Sequence, residues 1–197
     1  MDNNTQASWE RFLNPETLKS NLILGSIYIT SFEMLKDSII TKLKDFFIDG
    51  IDENGFTYSD RYKTKVLTLH KNPLQASLIW LQDMEAIDND DIIKFEKIKT
   101  FRNKLAHEML DFIANIPEDD LLKLFNDMIS LLTKIGRWWI VNVEIPTNPD
   151  YDGQEINENE ITPGINVTLQ LLFDIALGNE EKSKTYYEEF IKKKGNI

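Results

Sequence analysis

The sequence predicts an all-α protein, a bundle of four main helices with further helices after it. Helix-start signals recur along the chain, and each is followed by apolar residues at three- and four-residue steps. No segment has the strict alternation that indicates a sheet, and we find no internal repeat. With 197 residues, 42% of them hydrophobic, the chain can form one buried core.

The first predicted helix is the longest. The Asn-Pro-Glu sequence at 14–16 supplies an N-cap, a proline for the first turn and an acid at the positive end of the helix dipole. Its apolar positions continue toward Gly50, where we expect the helix to end. The following segment, 52–62, contains an Asn-Gly turn signal and is predicted to be a loop. Residues 60–70 are interpreted as a short helix.

Three more helices complete the predicted bundle. The second begins at Asn72-Pro73 and ends at the acidic segment 88–91, in which Asp90 is expected to cap the third helix. The third helix runs to about Ile116, and the Pro-Glu-Asp-Asp sequence at 117–120 opens the fourth. The predicted apolar positions of the third helix are Ile92, Ile93, Phe95, Ile98, Phe101, Leu105, Leu110 and Ile113.

The predicted domain organisation has three parts. Residues 1–146 form the helical bundle, and residues 147–163 form a polar, acidic loop that we expect to be exposed and mobile. Residues 164–197 contain two further helices that pack on the bundle or extend it. The last of these helices is amphipathic and rather polar.

Cysteine and hydropathy restrict the class of protein. The chain has no cysteine, so disulfides and thiolate metal sites are excluded, and a cytoplasmic location is expected. The N-terminal residues show no basic region followed by an apolar run, so we predict no signal peptide. Charges interrupt every apolar stretch before it reaches about 18 residues, so no membrane span is expected.

Positive charge is concentrated in two places although the net charge is −11. An acidic chain is a poor general binder of nucleic acid, since a basic surface normally supplies that affinity. One cationic segment nevertheless lies in the third helix, and a second lies at the C-terminal lysines. The ordinary interpretation of such a segment is a solvated helix face. The residues of the first segment are Lys94, Lys97, Lys99, Arg102 and Lys104.

This cationic segment contains an unusual motif. Arg102, Asn103 and His107 read R-N-x-x-x-H, in a chain with only two histidines. The motif resembles the signature of the HEPN superfamily, in which an arginine is followed by a polar residue and then by a histidine about four to six residues after the arginine. The resemblance is specific at residues 101–108, looser over about 15–145, and does not include the C-terminal third.

The resemblance implies a four-helix fold and, for many members, metal-independent cleavage of RNA in toxin–antitoxin or anti-phage systems. A histidine titrates near neutral pH and can transfer the 2′-hydroxyl proton or protonate the leaving 5′ oxygen. An arginine offers a planar set of donors to the charge that develops on the phosphoryl oxygens. The resemblance therefore assigns phosphate binding to Arg102, acid–base chemistry to His107 and an orienting role to Asn103.

The remaining site predictions follow from this assignment. Lys97, Lys99 and Lys104 are predicted to bind substrate phosphates, and we expect no metal and no other cofactor. Asn103 and His107 share a helix face, whereas Arg102 is about 140° away from His107 on an ideal helix. In the family a symmetric dimer brings two such motifs to one cleft, so a homodimer is expected, with its two-fold axis near the motif.

Met109 marks a departure from some family members. Certain HEPN toxins carry a tyrosine two residues after the histidine, which an antitoxin enzyme modifies, and this chain has methionine there. The resemblance therefore leaves the identity of any antitoxin or other regulator protein open.

Other interpretations of these residues stand beside catalysis. Arg102 could form an ion pair with Glu96, Glu108 or an acid on another helix, and His107 could be a half-buried structural residue. The domain would then be a non-catalytic helical module that binds nucleotide, RNA or a partner protein. His70, next to the second helix cap, is interpreted as a capping or surface residue. The tryptophans at 80, 138 and 139 are interpreted as core or interface packing.

Overall fold

The structure, a computed structural model, describes residues 3–53, 55–114, 118–178 and 180–194. The described chain is mostly helical, which confirms the all-α prediction at that level. The helices are α1 (Asn3–Leu13), α2 (Pro15–Phe46), α3 (Asp60–Tyr62), α4 (Pro73–Asp83), α5 (Asn89–His107), α6 (Met109–Ala114), α7 (Glu118–Trp139), α8 (Ile145–Thr147), α9 (Gly164–Leu177) and α10 (Glu180–Lys194). π-Helical turns continue α3 over Lys63–Leu67 and α7 over Ile140–Glu144.

Helix α2 is the centre of the fold. Asn14 caps it by accepting from the backbone N–H groups of Glu16 and Thr17, as the sequence predicts. Helices α4, α5, α6, α7 and α9 all pack against α2. One buried side chain illustrates this arrangement, because the hydroxyl of Tyr28 donates to the carbonyl of Ile98 on α5 at 3.2 Å. Burial raises the pKa of the Tyr28 phenol, so it stays a neutral donor.

The first predicted helix ends earlier than Gly50. The chain leaves α2 at Phe47 and forms an antiparallel hairpin of β1 (Ile48–Asp52) and β2 (Gly55–Tyr58). The prediction of a loop here was wrong because Ile and Phe side chains flank the turn signal and pair across the strands, as in Ile51 opposite Phe56. Among the described residues this two-stranded hairpin is the whole of the sheet structure.

The third helix, α5, begins and ends at other residues than the sequence predicts. Its N-cap is Asp88 rather than Asp90, and Asp88 and Asp91 form a reciprocal capping box. The helix ends at His107, because Glu108 takes a non-helical conformation (φ −119°, ψ 34°) before α6 begins. The predicted end near Ile116 lies outside the described residues. Ile93 and Leu110, which were predicted to be apolar core positions, are exposed.

Helix α7 carries the most regular apolar stripe. Its buried residues recur at steps of four and three and face α2 and α5. Pro117, the predicted proline start, lies outside the described residues. The main members of the stripe are Leu121, Phe125, Met128, Leu132, Ile135 and Trp139.

The C-terminal part follows the predicted order. Most of the acidic segment from Asn148 to Glu160 is exposed, as expected, and it contains two short 3-10 turns. Arg137 attaches the end of this segment to α7 by donating to the carbonyls of Asn159 and Ile161. Helix α9 packs on α2 and α7, and α10 packs on α9. No helix of the described chain is long and apolar enough to cross a lipid bilayer.

Candidate functional site

Arg102 lies on the side of α5 that faces the core. The buried positions of this helix recur at three- and four-residue steps, and Arg102 occupies the step between Ile98 and Leu105. A charged residue in such a row must find a partner on the neighbouring helix or pay a desolvation penalty. Its environment is therefore set by α2, the helix that packs against this side of α5.

The partner of Arg102 is a carboxylate of α2. Its Nη2 donates to Glu33 Oε1 at 2.8 Å, and its guanidinium lies over the ring of Phe32, with the Cζ atom 5.6 Å from the ring centre. The Arg102 side chain is 30% exposed, so this is a half-buried ion pair with a cation–π contact beneath it. The interpretation of Arg102 as an interhelical ion pair is confirmed, with Glu33 as the acid.

Glu33 is shared between two cations. Lys36, one turn along α2, donates to its Oε2 at 2.9 Å. The hydrogen bond from Lys36, together with the Arg102 contact, holds the pKa of the Glu33 carboxyl below its usual value although partial burial opposes this. Glu33 is therefore ionised at neutral pH. The Nε atom of Arg102 is buried and has no acceptor among the described residues, so Glu33 does not satisfy all the donors of the guanidinium.

Asn103 and His107 lie on the opposite, exposed side of α5. Neither side chain makes a hydrogen bond to another described residue, so the fold around them does not use their polar groups. His107 is the last residue of α5. These two residues can therefore contact a ligand from solvent.

One protomer does not bring the whole motif together. Asn103 and His107 share a face, as the four-residue spacing predicts, and Arg102 faces α2. The angle of about 140° expected between Arg102 and His107 around the helix therefore places Arg102 on the half-buried side and His107 on the exposed side. A site that uses both side chains on one phosphate needs a second copy or a rearrangement of the Arg102 ion pair.

The three predicted substrate lysines also divide between two surfaces. Lys99 forms an ion pair with Glu96 at 2.7 Å, and Glu96 accepts from Gln75 of α4. Partial burial raises the pKa of Glu96, but these two hydrogen bonds outweigh it and hold the pKa below its usual value. Lys97 and Lys104 instead line a groove between α5 and α7.

This α5–α7 groove encloses about 650 Å³. Its floor is apolar, and its rim carries lysines and acids from both helices. Lys123 of α7 joins Lys97 and Lys104 on the rim, and none of these three lysines forms an ion pair within the described chain. The floor consists of Ile92, Ile93, Phe101 and Leu124.

The other residues singled out in the sequence have structural roles. His70 is exposed, and its Nδ1 accepts from the backbone N–H of Asn72, the N-cap residue of α4, at 2.9 Å, so it is a surface residue next to the helix start. Trp80 and Trp139 are buried and stacked at 6.1 Å, and Trp138 packs edge-on against both. The core-packing interpretation of these tryptophans is confirmed.

Sequence reasoning missed Glu33 and Lys123. Glu33 was detectable as a single acid directly after the apolar position Phe32 in the middle of α2. An acid there predicts a cation on the facing helix, but not which one. Lys123 carried no local signal, because only the packing of α7 on α5 brings it next to Lys97 and Lys104.

Comparison of the chain with known protein families, with curated proteins and with solved structures found no match.

Proposed function

We propose that this protein is a HEPN-like, metal-independent endoribonuclease of the toxin–antitoxin or anti-phage defence type, with a site formed by two copies of the chain. One observation carries the proposal. The R-N-x-x-x-H motif ends at an exposed helix terminus, where Asn103 and His107 share a face and the described chain uses neither side chain for its own packing. Polar groups placed this way are available to a ligand.

Each residue of the motif has one role in the proposed reaction. The 2′-oxygen of RNA attacks the adjacent phosphorus, and the bond from phosphorus to the 5′ oxygen breaks. His107 accepts the 2′-hydroxyl proton or, when protonated, donates a proton to the leaving 5′ oxygen. The products are a 2′,3′-cyclic phosphate and a 5′-hydroxyl. The Arg102 guanidinium balances the charge that develops on the phosphoryl oxygens, and Asn103 orients the imidazole or the phosphate.

Two copies are part of the proposal because Arg102 and His107 point to different sides of α5. In a dimer with its two-fold axis near the C-terminal end of α5, Arg102 of one copy can serve a phosphate next to the other copy's His107. Lys104, one turn before His107, supplies a further phosphate contact. A regulator protein would act by a route other than tyrosine modification at position 109, which is methionine.

Glu33 has a defined place in this proposal. It neutralises Arg102 when no RNA is bound, so the phosphate either displaces the carboxylate or binds the edge of the guanidinium that Glu33 leaves open. A guanidinium that already lies against Phe32 loses little side-chain freedom when it binds.

The test is cleavage of single-stranded RNA by the purified protein in EDTA. We expect His107→Ala to slow cleavage by about 10²- to 10⁴-fold. Arg102→Lys, which keeps the charge but loses the planar donors, should slow it by about 10²- to 10³-fold. His70→Ala is the matched control, since it removes the other histidine from a loop that is remote in sequence, and it should leave the rate unchanged. Wild-type rates in a folded His107→Ala protein would refute the assignment.

A second candidate function rests on the Arg102–Glu33 ion pair. A half-buried arginine held by a carboxylate and an aromatic ring has a sufficient structural reason to be there. The domain would then be a non-catalytic helical module that binds RNA, nucleotide or a partner protein through its exposed α5 face. This alternative predicts no RNA cleavage by the wild type, and ligand binding that weakens in Asn103→Ala and Lys104→Ala variants.

A further inference from the structure

The Arg102 guanidinium can bind a ligand only through nitrogen atoms next to Glu33. Its Nε atom is buried and has no acceptor among the described residues, so a ligand from solvent does not reach that edge. Of the two terminal nitrogens, Nη2 donates to Glu33 Oε1 at 2.8 Å, and Nη1 has no partner in the described chain. A phosphate that accepts two parallel hydrogen bonds must therefore use Nη1 together with Nη2, the nitrogen that Glu33 holds.

A phosphate in this position lies beside an ionised carboxylate. The hydrogen bond from Lys36, together with the Arg102 contact, holds the pKa of the Glu33 carboxyl below its usual value, so it is charged at neutral pH. Two acceptors that bond to the same nitrogen at ordinary lengths are about 5 Å apart, and like charges at that distance repel each other. The phosphate and Glu33 therefore compete for Arg102.

Glu33 can leave Arg102 and keep a cationic partner. Its two oxygens have different partners, since Oε1 accepts from Arg102 and Oε2 accepts from Lys36 at 2.9 Å. The side chains of Glu33 and Lys36 are 41% and 42% exposed, and both line a cavity of about 550 Å³. The carboxylate can therefore turn into this cavity and keep its bond to Lys36, while the guanidinium stays against Phe32.

We propose that Glu33 is an internal competitor of the substrate phosphate at Arg102, and that Lys36 sets how strongly it competes. The inference rests on the proposed function, because it takes Arg102 as the phosphate-binding residue of that site. In the free protein Glu33 neutralises Arg102, and an anion binds when Glu33 has turned to Lys36. Glu33 acts through Arg102, so it is a positioning residue and does not take part in the chemistry.

The two variants at these positions should change anion binding in opposite directions. Removing the Glu33 charge frees Arg102 and should tighten binding, whereas removing Lys36 leaves Glu33 on Arg102 and should weaken it. A purely structural ion pair predicts another result. Loss of Glu33 would then only loosen the Arg102 side chain, and binding would weaken or stay unchanged.

The test uses a single-stranded oligodeoxynucleotide, which carries phosphates but lacks the 2′-hydroxyl that cleavage requires. Fluorescence anisotropy at fixed salt measures its affinity, because phosphate contacts depend on salt. We expect Glu33→Gln to bind it about 5- to 50-fold more tightly than the wild type, the range for a hydrogen bond between charged groups. Asp37→Asn is the matched control, since it removes an equal charge one turn along α2, and it should change the affinity by less than about twofold.

A nuclear magnetic resonance measurement shows whether Arg102 is the residue that responds. The chain has only four arginines, so the Nε–H signal of Arg102 can be assigned as the one that is lost in Arg102→Lys. Because this Nε atom is buried, its proton should exchange slowly with water. The signal should move when the oligodeoxynucleotide is added, at a lower concentration in Glu33→Gln than in the wild type.

Lys36→Gln tests the competition without changing Glu33, so it remains informative if Glu33→Gln does not fold. It should weaken oligodeoxynucleotide binding by about two- to fivefold, because Arg102 is then the remaining cationic partner of Glu33 in the described chain. In the Glu33→Gln background the same change should have little effect, since no carboxylate is left to redirect. An equal loss in both backgrounds would mean that Lys36 contacts the phosphate directly, and it would overturn the role proposed for Lys36.

Four results would overturn the competition itself. The first is a Glu33→Gln protein that binds the oligodeoxynucleotide no more tightly than the wild type, and the second is an equal gain in Asp37→Asn. The third is binding during which the Arg102 signal does not move. The fourth is no detectable binding by the wild type or by Glu33→Gln at any concentration.

The same proteins separate this inference from the proposed ribonuclease activity. If Glu33→Gln binds more tightly but neither it nor the wild type cleaves RNA in EDTA, the competition at Arg102 stands and the ribonuclease proposal fails. If the wild type cleaves RNA but Glu33→Gln shows no gain in affinity, the competition fails and the ribonuclease proposal stands. If both hold, Glu33→Gln should lower the KM for RNA.

Discussion

Arg102 and His107 belong to one motif, but Arg102 is half-buried against α2 and His107 is exposed. Arg102 stands in the core-facing row of α5, ion-paired to Glu33 and stacked on Phe32. His107 is exposed at the helix end, and its side chain makes no hydrogen bond or ion pair with another described residue. The same mutation at the two positions should therefore have different effects on stability, whatever its effect on activity.

We expect Arg102→Ala to lower the free energy of unfolding by about 1–3 kcal/mol, since it leaves Glu33 without one of its cations and removes packed aliphatic surface. His107→Ala should change stability by less than about 0.5 kcal/mol, as is usual at exposed sites. Urea unfolding followed by circular dichroism measures both. Equal effects of the two mutations would mean that the Arg102 ion pair does not stabilise the fold.

At the scale of elements, the start of α5 is attached to α7 by a lysine. Lys134 Nζ donates to Asp88 Oδ2 at 2.7 Å and also contacts Asp91, whose side chain is 6% exposed. These acids form the capping box of α5, so one lysine stabilises the helix start and its packing on α7 together. The hydrogen bond from Lys134 lowers the pKa of Asp88 to about 2.

This pKa predicts an acid-sensitive contribution to stability. The folded pKa of Asp88 lies below its ordinary value of 3.8, so ionised Asp88 favours the folded state. The contribution is complete above about pH 5 and is lost as the pH falls through about 2. Asp88→Asn keeps a good N-cap but has no charge to titrate, so its unfolding free energy should fall less over this interval.

Asp90→Asn is the matched control for the charge at position 88. It removes an equal charge from the first turn of α5, and Asp90 forms no ion pair in the described chain. Urea unfolding between pH 5 and pH 2 should separate the two variants. Equal pH dependence in wild type and Asp88→Asn would contradict the prediction.

Gly136 lies where α7 packs against the start of α9. A Cβ atom at Gly136 would lie 2.7 Å from Pro163 Cβ and 2.8 Å from its Cγ. Alanine favours a helix over glycine by about 1 kcal/mol, but overpacking against a rigid ring costs about 1–3 kcal/mol. We expect Gly136→Ala to be destabilising, whereas Gly164→Ala, with no atom within 4 Å, should be neutral. Thermal unfolding compares the two, and a stabilised Gly136→Ala protein would show that the ring can move.

At the scale of the whole molecule, the proposed site requires two copies. This requirement can be tested by mixing variants that are each inactive. Arg102→Lys and His107→Ala chains form heterodimers in which one Arg102 and one His107 remain, on different chains. If the site is shared between copies, random mixing should restore roughly a quarter of the wild-type rate, since half the dimers are mixed and each has one intact pair.

The RNA cleavage rate after co-incubation measures this recovery. A site contained within one chain predicts no recovery, because neither chain keeps both residues. As a control, each variant mixed with itself should remain inactive. Chains that do not exchange would also show no recovery, so co-refolding of the two variants with differently sized tags must first show mixed dimers.

Local sequence signals were sufficient for most of the helical structure. The Asn-Pro pairs at 14–15 and 72–73 cap α2 and α4 as predicted, because an N-cap and its proline act within one turn. The predicted apolar stripe of α7 was correct except at Leu122, which is 60% exposed. The end of α2 was predicted less well, because the pairing of strands β1 and β2 overrides helix periodicity there.

The sequence by itself determined which residue types form the motif and how they are spaced on one helix. Only the tertiary structure decided that Arg102 faces Glu33, that Lys99 separates from Lys97 and Lys104, and that Ile93 of α5 and Tyr187 and Phe190 of α10 are exposed. The reason is physical. Periodicity specifies the relative directions of side chains around one helix, but their burial and partners depend on which other helices pack against each side.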